Sequence, residues 1–206
     1  MAERTGLAES RGLPWVRPAV SGGQYSHPDG LYFGGTEREE STQIMARIAT
    51  DHLGGAEAVL AVDLHTGHGP WGTYTLLSHH AAGSPVDAWL RERFDGARIE
   101  VTLDNPDATS APKRGQIVPG LLGLVDAPRR WSVTFELGTR SETHMIVIER
   151  AEHWVHRFGD PGDPEHADAV WNHRIGSIPD DAAWERRGIE HGRTVLDQAL
   201  AALPDL

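Results

Sequence analysis

Residues 58 to 64, Ala-Val-Leu-Ala-Val-Asp-Leu, constrain the fold more than any other stretch. A strand with one wet face alternates apolar and polar residues. A near-continuous apolar run suits a strand covered on both faces, as in a sheet with helices above and below. A second run, Trp131-Ser-Val-Thr-Phe-Glu-Leu137, also reads as a strand. Residues 73–78 and 98–103 are shorter strand candidates.

Helical signals separate these strands. Thr36 and Glu39 form a T-x-x-E capping box, followed by a helix to about Leu53 with Ile44, Ile48 and the Met45/His52 flank as its apolar stripe. Gly54-Gly55 would end it. Ser84 as N-cap with Pro85 at the first position opens a helix to about Phe94. A short helix within 116–125, one from Glu142 to about Arg157, a short one after the Gly- and Pro-rich stretch at 159–164, and a long one from Asp181 to Leu203 complete the pattern. In the last, Trp184, Val195, Ala199 and Leu203 fall roughly on one face, and Gly188 and Gly192 lie inside. Strand and helix in alternation predict an α/β fold with a mixed, mostly parallel sheet flanked by helices. The expected organisation is a polar segment over 1–20 and a single domain over 21–206.

Composition narrows the chemistry. The net charge of −11 argues against nucleic acid and against an anionic membrane surface. No run of about 18 apolar residues exists, so no membrane span is expected. The N-terminus lacks an apolar stretch of signal-peptide type, which makes the cytoplasm the expected location. There is no cysteine, so any metal must be held by histidines and carboxylates.

In open α/β sheets ligands sit beyond the carboxyl ends of strands, and two strands here end in chemistry. The first runs into Asp63 and His65. Residues two apart on a strand share a face, so Asp63 can orient the His65 imidazole, as metal-bound histidine usually requires. The competing reading is a satisfied structural histidine. The second strand carries Glu136 among apolar neighbours. A buried carboxylate is costly unless paired or its pKa rises, and a raised pKa suits a general base. The competing reading is a buried salt bridge, to Arg140 or Arg114. His68 falls on what reads as a Gly-rich turn, His79-His80 on a surface turn, and His153 and His156 one helical turn apart, beside a Trp154 expected to pack inward.

Three motifs, Gly22-to-Thr36 "GGQYSHPDGLYFGGT", Val62-to-Gly72 "VDLHTGHGPWG" and Phe135-to-Thr139 "FELGT", occur in that order. Together they resemble the distal part of an uncharacterised bacterial family related to zinc carboxypeptidases. The C-terminal "WERRGIEHGRTVLDQAL" is similar to that family's closing helix. The resemblance implies an α/β/α fold around one catalytic zinc. It implies His65 as a zinc ligand, Asp63 as the residue behind it, and Glu136 as the group that activates a zinc-bound water. Arg114, Arg140 and Tyr25 are then the candidates for holding substrate. In the superfamily the remaining ligands come from an upstream His-x-x-Glu, and this sequence contains none. The chain thus reads as the distal part of such an enzyme, truncated, completed by another chain, or naturally shortened.

The resemblance implies a zinc-dependent hydrolase of a peptide or other amide, acting on a small-molecule or peptide substrate. The alternatives are a non-catalytic relative serving as a binding module, and a deacylase of N-acyl amino acids on the same scaffold. Loss of upstream strands would expose sheet edge and apolar surface, so homo-oligomerisation or poor solubility is expected.

Overall fold

The computed structural model describes residues 20, 22–103, 105 and 115–205. Among the described residues four strands form one open sheet: β1 (Ala58–His68), β2 (Tyr74–Ser78), β3 (Ile99–Val101) and β4 (Arg129–Arg140). Their order is β1-β4-β2-β3. β1 runs parallel to β4 and β2 parallel to β3, while β2 and β4 are antiparallel. The fold is therefore α/β with a mixed, mostly parallel sheet, as the strand–helix alternation predicts.

Among the described residues six helices flank it: α1 (Glu40–Leu53), α2 (Pro85–Arg93), α3 (Ile117–Leu122), α4 (Glu142–Phe158), α5 (Ala167–Ser177) and α6 (Ala182–Ala202). On one face, Leu90 and Phe94 from the α2 segment and Trp184, Val195 and Ala199 of α6 pack on Leu76, Val133, Phe135 and Leu137. On the other, Ala49 of α1 and Val118 and Leu122 of α3 cover Val59 of β1. α4 and α5 pack on each other and against the far end of β1. A methyl group on Gly176 of α5 would meet the tip of the Ile148 side chain, which would have to turn aside to admit it.

Several local expectations hold. Ser84 accepts the Asp87 N–H and caps α2. Asp181 accepts the N–H groups of Ala183 and Trp184 and caps α6. Inside α6, an added methyl on Gly188 would sit 2.9 Å from Leu137 Cδ2, whereas Gly192 faces open space. Gly188 thus allows close approach of helix to sheet, and Gly192 does not serve that end.

Others do not hold. The T-x-x-E box is not formed: Glu39 is the N-cap, in extended backbone (φ −61°, ψ 151°), with no side-chain cap bond. The chain bends at Thr36 and Glu37 and enters the helix only at Glu40, so the two partners of the box are not one helical turn apart. Ile44, Met45 and Ile48 are 39–48% exposed, and the buried residue of α1 is Ala49. The helix is rotated so that its smaller side chains face the sheet. Leu203 follows α6 in a 3-10 turn and is 42% exposed, off the face shared by Trp184, Val195 and Ala199. Trp154 is half-exposed, with its ring edge-on to His166 rather than packed inward.

His79 and His80 are also not surface residues. Both are half-buried, His79 Nε2 lying 3.0 Å from Thr134 Oγ1 and His80 Nε2 accepting the Ser132 N–H at 3.1 Å. Burial holds the His80 imidazole below its ordinary value of 6.5, outweighing the nearby Asp87 carboxylate. In the unfolded chain His80 takes up a proton near 6.5, and in the folded chain only at lower pH. Its contribution to stability is therefore complete above about 6.5 and lost as pH falls through the window below it. Thermal unfolding between pH 7.5 and 5 should show the midpoint falling, with a shallower fall in His80→Gln. An equal slope in both proteins would refute this assignment.

Among the described residues no helix is long and apolar enough to cross a membrane.

Candidate functional site

β4 reads Ser132-Val-Thr-Phe-Glu-Leu137, a strict alternation that puts Ser132, Thr134 and Glu136 on one face. β1 carries Asp63 and His65 on that same face. The parallel register sets Asp63 opposite Thr134 and His65 opposite Glu136. Two residues 71 positions apart thereby become cross-strand neighbours.

His65 sits between two carboxylates. Its Nε2 lies 2.9 Å from Asp63 Oδ2, and its Nδ1 lies 3.8 Å from Glu136 Oε2. With Nε2–H donating to Asp63, a neutral ring presents the Nδ1 lone pair toward Glu136. Two electron-pair donors then face each other across the pair. His65 is half-exposed at the strand end, whereas Glu136 is only 5% exposed. Solvent or substrate reaches the imidazole, and the carboxylate stands behind it.

The backbone around Glu136 is specialised. β1 does not turn at Thr66-Gly67 as the glycines suggest but continues to His68. A register shift between Gly67 and His68 leaves Thr139 as an extra residue on β4. Its hydroxyl donates to the Gly67 carbonyl at 2.7 Å, closing the irregularity. Gly67 has φ +146° and Gly69 +112°, which only glycine adopts readily. That path aims the His68 N–H at Glu136 Oε1, 3.1 Å away. His68 therefore belongs to a strand end, not a turn, and its part is to hold the carboxylate by its backbone. Its ring Nδ1 is buried without a hydrogen-bond partner among the described residues.

Of the expected substrate-binding residues, Tyr25 and Arg140 are among the described ones. Tyr25 is 72% exposed in the 22–36 loop, against Gly34. No hydrogen bond or ion pair joins it to His65 or Glu136 among the described residues. The aromatic anchor of that loop is instead Tyr32, at φ +61°, whose hydroxyl bonds Glu149 of α4. Burial and that carboxylate push the Tyr32 hydroxyl far above its ordinary value, so it stays protonated as the donor. Arg140 lies at the exposed end of β4, opposite His68 in register. Arg114 lies outside the described residues. His153 and His156 part company, the first bonding the Asp29 carbonyl and the second pairing with Glu152.

A profile described as "Protein of unknown function (DUF2817)" matches residues 1–190, a span that contains the Asp63–His65 and Glu136 strand ends. The chain belongs to the DUF2817 family. Nearly the whole α/β unit, down to the first half of α6, lies within the family match. No curated protein and no solved structure matches the chain.

As a metal centre, the described residues supply one imidazole and the carboxylates beside it. A catalytic zinc takes three protein ligands and a water. Among the described residues no group of three His, Asp or Glu side chains is placed to hold one ion together. The His65–Glu136 pair fits one ligand and one base of such a centre, not its full ligand set.

Sequence reasoning missed two contributors. One is the His68 N–H, because Gly67 and Gly69 read as turn residues. The other is the His79–Thr134 contact two residues below Glu136; the Ser-Thr-Glu alternation in β4 was the signal for it.

Proposed function

We propose that this chain carries the strand-end half of a zinc-dependent hydrolase centre of the metallocarboxypeptidase type, cleaving a peptide or other amide bond. The observation that supports it is the juxtaposition of His65 and Glu136 on neighbouring parallel strands, with Asp63 behind the imidazole. His65 would be the ligand, through Nδ1, with its ring fixed by Asp63. A bound zinc would polarise the scissile carbonyl and acidify water. Glu136 would take the proton from the attacking water and return it to the leaving nitrogen. The His68 N–H orients one oxygen of Glu136 and leaves the other directed toward His65. The proposal requires further ligands from beyond the described residues, in this chain or a second copy of it.

The test is zinc stoichiometry of the purified chain beside His65→Ala. The expected result is near one zinc per chain, lost in the variant. No zinc in either protein would overturn the proposal and leave a binding module as the better account.

A further inference from the structure

β1 carries more than the site at its end. Ala61 and Asp63 share a face with His65, and both line a cavity of about 230 Å³ between α1 and α3. Its walls are Met45, Ile48 and Leu53 of α1 and Ile117 and Leu121 of α3. Asp63 is the polar residue in an otherwise apolar lining, and it is the carboxylate bonded to His65. The cavity and the imidazole therefore adjoin the same side chain. Met45, Ile48 and Ile117 are 43%, 48% and 59% exposed around it, apolar surface in position to gain from a ligand.

The groove does not end there. A second cavity of about 350 Å³ shares Met45, Ile117 and Leu121 and runs on between the same helices to Leu124, with Arg38, Ser41, Thr42 and Gln116 also in its lining. A cavity of roughly 150 Å³ holds a benzene ring. The first cavity alone takes a group of that size or larger, and its continuation exceeds the needs of any amino-acid side chain. A linear chain fits this shape better than a side chain does.

We infer that the α1–α3 groove is the acyl pocket of the site, and that the substrate is an N-acyl amide with an apolar acyl chain of roughly six to ten carbons. The inference rests on the hydrolase reading for its chemistry but not for its binding. The acyl chain lies along β1 over Ala61, and its carbonyl emerges past Asp63 toward His65 and Glu136.

The experiment is calorimetric titration of the full chain with N-acetyl-, N-butanoyl-, N-hexanoyl- and N-octanoylglycine, with and without added zinc. Affinity should rise by about fourfold per methylene, the value for full burial of each. The rise should persist in His65→Ala, where the groove is intact. It should flatten in Ile48→Glu and in Met45→Glu, both at half-exposed positions. A flat series in the wild-type chain, or a rise that survives both glutamate variants, would overturn the inference. Hydrolysis rates read the two proposals apart. A chain-length rise in binding without turnover sinks the hydrolase reading and leaves the acyl pocket standing. Turnover with equal kcat/KM for acetyl and octanoyl amides does the reverse.

Discussion

Glu136→Gln should lower amide hydrolysis by about 10²- to 10⁴-fold, the usual share of a positioned general base. The exchange keeps shape and volume. Its amide oxygen can still accept the His68 N–H that Glu136 Oε1 accepts at 3.1 Å, so the strand irregularity at Gly67 is preserved. What it removes is the basic carboxylate facing His65 Nδ1. Folding and zinc content should therefore match the parent while kcat collapses. The measurement is kcat and KM on the N-acylglycine that binds most tightly, with metal analysis of the same samples. Equal kcat in both proteins would remove Glu136 from the reaction. Loss of zinc in the variant would make Glu136 a ligand instead.

Gly138→Ala should be the most damaging small substitution in the chain. A methyl group there would lie 2.2 Å from the Pro70 carbonyl oxygen and 2.6 Å from the Gly69 carbonyl carbon. Both are backbone atoms, which cannot rotate away as a side chain would. The same residue is a joint for three segments. Its carbonyl accepts the Gly72 N–H and the Trp184 Nε1–H, each at 2.9 Å, and its N–H donates to the Thr73 carbonyl at 2.8 Å. Displacing Gly138 thus pulls on the 69–73 turn and on α6 together, and it sits two residues from Glu136. The expected loss is about 3 kcal/mol or more, at the upper end of overpacking effects. Urea unfolding of the variant beside the parent measures it. A midpoint within experimental error of the parent would mean that the turn yields freely, contrary to this packing.

The two cases differ in how far the sequence leads to them. Glu136 stands out as a carboxylate in an apolar strand, and Asp63-x-His65 stands out at the end of another. Only the family resemblance pairs them; periodicity and composition do not, because register between strands 71 residues apart is set by how the sheet assembles. Gly138 reads in sequence as a turn after "FEL"; the structure keeps it inside β4, which runs to Arg140. Close approach of the 69–73 segment explains the glycine, and that segment is distant in sequence.

Local chemistry determined much of the rest. Ser84-Pro85 and Asp181 begin their helices because a side-chain oxygen next to the first turn meets free N–H groups wherever the helix packs. The apolar run of β1 suits helices on both faces, and the alternation of strands with helices gives the α/β layering. Tertiary structure decided the remainder. β1 outruns its glycines because β4 offers it backbone partners to the end. α1 turns Ala49, not Ile44 and Ile48, to the sheet, and Ile48 then lines a groove with Met45 instead of filling a core. Periodicity states that a helix has an apolar face; only the packed neighbours state how closely it can approach and which side chains stay outside.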